Sequence, residues 1–185
     1  ADVIHQESAL SLITLNKHLK STLPTLAEVY ADATFPEREF ETYVLKHQQE
    51  LMVNQEKVSY LCSKAFSAAL YGKNHPYGRS AEIESYNALT RDDLVEFHSN
   101  NIKGRIKYIL VSGKLREDTL ELLEKQFGSD QRLESPKAEL KFAKTEASKV
   151  HVEKAESVQN AIRIGRVLFN RNHPDYIGMQ ILATV

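Results

Sequence analysis

A chain of 185 residues is long enough to bury a core and suggests one domain, or one domain with part of another. Its apolar content of 42% and charged content of 26% are those of an ordinary folded protein, and a net charge of −1 gives no global field toward nucleic acid or anionic membrane. No apolar run approaches the length of a membrane span, basic and aromatic residues are not interleaved as on a base-stacking surface, and the lone cysteine, Cys62, leaves no disulfide within the chain.

In chain order, residues 9–15 mix alternation with apolar positions and predict a strand. Residues 17–33 predict a helix with Leu19, Leu23, Leu26 and Tyr30 on one face, and Pro24 marks a kink or a start early in it. The next helix opens at TFPEREFE. Thr34 is placed to cap it, Pro36 to sit in its first turn, and Glu37 and Glu39 at the positive end of its dipole. Its apolar positions are Phe40, Val44 and Leu51, with Tyr43 and His47 beside them. A third helix has the clearest stripe: Val58, Leu61, Cys62, Ala65, Phe66, Ala69 and Leu70 recur at helical spacing and predict a buried face. Gly72 ends it, and the loop Asn74-His75-Pro76-Tyr77-Gly78 turns the chain.

Residues 82–88 predict a short helix, and Thr90 caps another with Asp92 and Asp93 in its first turn. Residues 105–112, RIKYILVS, are β-branched and aromatic between basic residues and predict a strand ended by Gly113. Residues 115–127 predict an amphipathic helix closed by Gly128. Residues 129–148 are polar, charged and without period, and read as a linker. Beyond it, residues 150–153 and 161–169 predict strands, and Asn172 is placed to cap a last helix with Pro174 in its first turn. The tripeptide NHP thus occurs twice, once as a loop and once as a helix start, and the match reads as coincidence of turn chemistry. Strands interspersed with helices give the α+β class: helices layered on a mostly antiparallel sheet.

Few residues point to chemistry. His47 and Glu50, three apart on one helix, can both face one metal, which is half a zinc site; the same residues also read as the polar face HQQE. No H-E-x-x-H or H-x-x-E-H is present, nor G-x-S-x-G, a Walker loop or a dinucleotide fingerprint. Cys62 lies on an apolar face rather than in the electropositive setting a nucleophile needs. His75 sits in a turn, where a structural role competes with ligand contact, and Arg79, Arg163, Arg166 and Arg171 read as carboxylate binders or as solvated surface charges. The residues alone reach an α+β domain without a complete active site.

Three stretches carry a resemblance. LITLNKHLKSTLPTLAEVYADATFPEREFETYVLKHQQEL is similar to the strand–helix–"xxFPEEEFE"–helix segment of the pitrilysin/insulinase family of zinc peptidases, which includes the mitochondrial processing peptidases. LYGKNHPYGRSAEIESYNALTRDDLVEFHSNNIKGRIKYILVSGKL resembles the next segment, where an "hPyG" loop leads to a helix and then a strand ending in "GD" or "GK". SVQNAIRIGRVLFNRNHPDYIGMQILATV resembles the start of the following repeat unit. The resemblance implies a processing-peptidase-type unit over residues 1–130, a linker over 131–149, and the start of a second, related unit over 150–185. In active members two histidines of H-x-x-E-H and a later helical glutamate hold zinc, and the glutamate of the motif activates water. Ungapped alignment puts that later ligand on Glu50, with the histidine motif expected before residue 1. Two departures point to an inactive member. Active relatives carry a second glutamate seven residues before the ligand, where this chain has Tyr43, and LKHQQEL lacks the family's "LxE" pattern.

The expectation is therefore an inactive peptidase domain of bacterial type, acting as a structural and substrate-enclosing partner of an active unit. That partner is a separate subunit or the second half of the same chain. An active zinc endopeptidase with its histidine motif upstream, and a pure interaction module like the core subunits of respiratory complexes, are the alternatives. Peptide is the candidate ligand, with no nucleic acid or membrane partner and with dimerisation left open. No cofactor is expected in this piece, although active relatives use zinc. The absence of a starting Met, of a signal-peptide pattern, and of a cap after GMQILATV lead to the expectation of a fragment. The lone cysteine suits a reducing compartment, so a cytoplasmic location is expected, with the periplasm as the other option.

Overall fold

Seven helices and one short antiparallel pair are seen in the computed structural model, which describes residues 1–4, 7–129, 133–134 and 148–184. The pair joins β1 (Asp2–Val3) to β2 (Ser8–Ala9), with Asp2 opposite Ala9 and Val3 opposite Ser8. The helices are α1 (Leu19–Ala31), α2 (Glu37–Gln55), α3 (Val58–Tyr71), α4 (Ile83–Ala88), α5 (Arg91–Asn101), α6 (Thr119–Phe127) and α7 (Tyr176–Leu182). The architecture is helix-rich and compatible with the α+β class. Two compact units divide the chain: Ala1–Leu51 with Ala81–Leu140, and Met52–Ser80 with Lys141–Val185.

In the first unit the core forms where α1 meets α6. Leu23 and Tyr30 are buried, as the spacing of the α1 stripe predicts, and the Tyr30 ring meets Phe127 edge-on at 6.1 Å. Pro24 lies inside α1 without ending it, at the cost of the bond its amide would have made to the Lys20 carbonyl one turn earlier. α2 starts one residue after Pro36, whose carbonyl accepts from Phe40 N–H at 3.0 Å. Phe35 just before it has φ 44°, a left-handed backbone that an aromatic residue rarely adopts. It is held from α5: Arg91 Nε donates to the Phe35 carbonyl at 2.6 Å, Arg91 Nη2 to the Thr34 carbonyl at 3.0 Å, and the Phe35 ring meets His98 at 5.6 Å. Thr90 caps α5, as predicted, and the structure adds the reciprocal bond to Asp93 that makes it a full capping box.

α6 begins four residues later than the pattern suggests. The buried Thr119 accepts from Arg116 N–H at 3.0 Å through its hydroxyl, which closes a turn before the helix rather than extending it. Gly128 follows with φ −69°, so no left-handed cap forms there.

In the second unit the α3 stripe is only half-buried, with no residue of the helix fully enclosed. Gly72 ends it at φ 83°, a backbone state that favours glycine. Phe66 of α3 is covered by the later segment: a Cβ at Gly165 would stand 2.9 Å from Phe66 Cζ. α7 starts at Tyr176 behind Asp175, so Asn172 and Pro174 belong to the preceding turn and not to the helix.

The strand expectations hold least well. Among the described residues, only Ala9 of residues 9–15 is in a ladder, and residues 105–112, 150–153 and 161–169 are in none. A helix satisfies its backbone within itself, whereas a strand needs a neighbour to hydrogen-bond with. The pattern in these segments specifies extended backbone but does not by itself specify a partner. Most of residues 129–148, read as a linker, lie outside the described residues.

Candidate functional site

The pair expected to bear on metal chemistry sits on α2. His47 faces α4, its ring parallel to Tyr86 at 6.5 Å, while Gln48 Nε2 donates to Asn87 Oδ1 at 2.7 Å. Tyr43, one turn earlier, lays its ring on His47 at 4.1 Å. His47 Nδ1 stands 2.9 Å from Glu50 Oε2, and Lys46 Nζ stands 3.9 Å from Glu50 Oε1. A carboxylate only accepts, so the imidazole proton is on Nδ1. Glu50 is half-exposed, with one oxygen toward a histidine and the other toward a lysine. Zinc takes three or four converging donors, and these residues do not supply them. Among the described residues no group of three or more His, Cys, Asp or Glu side chains is placed to share a metal ion. A zinc ion at Glu50 would need its other donors from elsewhere.

The remaining histidine of interest, His75, is buried in the second unit and organises the NHPYG loop. Its amide donates to the Gly72 carbonyl at 3.2 Å, and its carbonyl accepts from Gly78 N–H at 2.9 Å. The Tyr77 amide donates to Nδ1 at 3.1 Å, and the ring stacks on Tyr71 at 5.5 Å and 20°. The second NHP repeats this geometry. The His173 amide donates to the Asn170 carbonyl at 3.1 Å, and its carbonyl accepts from Tyr176 N–H at 3.0 Å. The Asp175 amide donates to His173 Nδ1 at 3.2 Å, and the ring stacks on Phe169 at 4.2 Å and 16°.

The two NHP sequences are therefore one kind of turn, not a loop and a helix start. The shared signal was wider than the tripeptide. Each histidine has an aromatic residue four positions earlier, Tyr71 or Phe169, and a basic residue two positions earlier, Lys73 or Arg171. In both turns Nδ1 is an acceptor, which fixes the proton on Nε2. A neutral imidazole in that tautomer has no lone pair left for a metal or a substrate proton. These histidines are turn-formers while the turns are intact.

Other sequence candidates stay apart. Cys62 is half-buried along α3. Arg163, Arg166 and Arg171 are exposed, as is Arg79. An open hollow of about 450 Å³ is lined by Asn16, Lys114, Leu115, Arg116, Glu117 and Asp118, and it brings no nucleophile together with a base. No helix among the described residues is long and apolar enough to cross a membrane.

Residues 88–185, more than half of the chain, match the family model described as the peptidase M16 inactive domain. The chain belongs to that family, as an inactive-type peptidase domain. No curated protein and no solved structure matches it.

Proposed function

We propose that this domain is a structural and substrate-enclosing partner of an active peptidase unit, carried on a separate subunit or elsewhere in the same chain. The observation that carries the reading is the match to the inactive domain of a peptidase family. The α2 geometry supports it. At Tyr43, where active relatives are expected to hold a glutamate, an aromatic ring lies on His47, and Glu50 is engaged by His47 and Lys46. A domain of this kind contributes walls rather than a reacting group, and the layered processing-peptidase-type unit would be its complete fold. It needs no metal of its own, and peptide would be enclosed between it and the active unit.

The test is metal content together with Glu50→Gln in the full-length protein. Zinc well below one per chain, unchanged by the substitution, is the expected result. One zinc per chain that disappears in Glu50→Gln would overturn the reading in favour of an active endopeptidase.

A further inference from the structure

We propose that Arg91 is a two-position latch on the start of α2. It alternates between the backbone carbonyls of Thr34 and Phe35, which hold the helix start in place, and the carboxylate of Asp92, which releases it. The inference rests on contacts within the first unit and not on the non-catalytic reading.

The strain is at Phe35. Its φ of 44° is a left-handed state that is unfavourable for a residue with a side chain. Pro36 follows, and a residue before proline is pushed toward extended backbone. Both local preferences oppose the observed turn, so a distant group must hold it. The holder is one guanidinium. Arg91 Nε donates to the Phe35 carbonyl at 2.6 Å and Nη2 to the Thr34 carbonyl at 3.0 Å, a fork that grips two successive peptide groups. Arg91 is itself fixed, as the first residue of α5 directly behind the Thr90 capping box. His98, two turns along the same face of α5, meets the Phe35 ring edge-on at 5.6 Å, which holds the side chain but not the backbone.

The second position lies one residue away. Arg91 Nη1, which neither carbonyl uses, stands 3.8 Å from Asp92 Oδ1, too far for a hydrogen bond but within reach of a side-chain rotation. A carboxylate is a stronger acceptor for a guanidinium than a carbonyl is, but the Asp92 side chain is 94% exposed, where water weakens the pair. The strain at Phe35 and the carboxylate favour release, while the two-carbonyl fork and solvent screening favour the hold. On release Phe35 relaxes to extended backbone, and the first turn of α2 loses its anchor. Halfway along the helix, Gln48 Nε2 still donates to Asn87 Oδ1 and His47 still lies parallel to Tyr86, so the latch frees the start of α2 while its middle stays on α4.

Nuclear magnetic resonance on the full chain tests this through two readouts. One is the short amide-to-Hα distance within Phe35 that positive φ gives. The other is the exchange rate of the Phe40 amide, which closes the first turn of α2 on the Pro36 carbonyl. Arg91→Ala should abolish the positive-φ signature and speed Phe40 exchange about tenfold, the scale of a charge-assisted hydrogen bond. Asp92→Asn removes the release partner and should slow that exchange about twofold. Phe35→Gly added to Arg91→Ala should bring the exchange back toward the parent rate, because glycine adopts positive φ without being held. An Arg91 that only packed against the turn would not be rescued in that way. The proposal is overturned if Phe35 keeps its positive φ in Arg91→Ala, if the double variant exchanges no more slowly than Arg91→Ala, or if Asp92→Asn leaves the rate unchanged. Should Arg91→Ala fail to fold, a folded double variant supports the latch and an unfolded one overturns it.

Discussion

In the turn at Tyr71–Tyr77 the histidine is buried, whereas in the matching turn at Phe169–Asp175 the His173 side chain is 42% exposed. The hydrogen-bond pattern is the same in both, so the pattern comes from local sequence and the burial does not. What differs is the third residue after each histidine. In the first turn it is Gly78, packed so closely on the end of α3 that an added Cβ would stand 2.1 Å from the Gly72 carbonyl oxygen. In the second it is Tyr176, the first residue of α7. The same turn therefore folds back onto its helix where a glycine permits close approach, and launches a new helix where a full side chain does not.

The largest expected effect breaks this contrast at its source. Gly78→Ala forces a Cβ into backbone and should cost about 3 kcal/mol, the upper range for overpacking, whereas Tyr176→Ala should cost less than about 1 kcal/mol. Urea denaturation of both variants measures it, and equal losses would mean that the close approach is not structural. Next, His75→Ala leaves the Tyr77 amide without its acceptor in a part-buried place and should cost about 2 kcal/mol, against about 0.5 kcal/mol for His173→Ala. Thermal melts of the pair decide whether burial or the turn itself carries the energy.

The two helix starts sharpen the point at a smaller scale. α5 has a capping box at Thr90 and α7 has no side-chain cap, so Thr90→Ala should cost about 1 kcal/mol and Asp175→Ala close to nothing. Far-ultraviolet circular dichroism through a denaturation series compares them.

The smallest effect is a pH response. Hydrogen bonds from the Thr90 hydroxyl and the Thr90 amide hold the Asp93 carboxyl below its ordinary 3.8. A depressed folded value means the carboxylate's contribution is fully present above pH 3.8 and is lost as pH falls through the lower folded value. Acid titration of stability should show that loss in the parent and a flatter limb in Asp93→Asn, whose amide does not titrate.

Local rules were legible in proportion to how local they are. The α1 stripe, the acidic first turn of α2, the Gly72 terminus and the Thr90 cap each depend on residues within a turn or two, and each stands where the sequence places it. The start of α6 was misplaced because the Thr119 hydroxyl offers the backbone an alternative that periodicity does not register. At the candidate site, the sequence put His47 and Glu50 on one face of a helix. That the His47 ring would lie parallel to Tyr86 depended on α4, far along the chain.

By itself, the sequence determined the helices, the Thr90 cap and the local bonding of the two histidine turns, because each satisfies its hydrogen bonds among near neighbours. It also carried the family, through the order and spacing of its segments. Tertiary structure decided which histidine is buried and where Phe35 is pinned by Arg91. Those outcomes depend on groups distant in the chain, and an alternating pattern such as residues 105–112 specifies a strand without specifying what it pairs with.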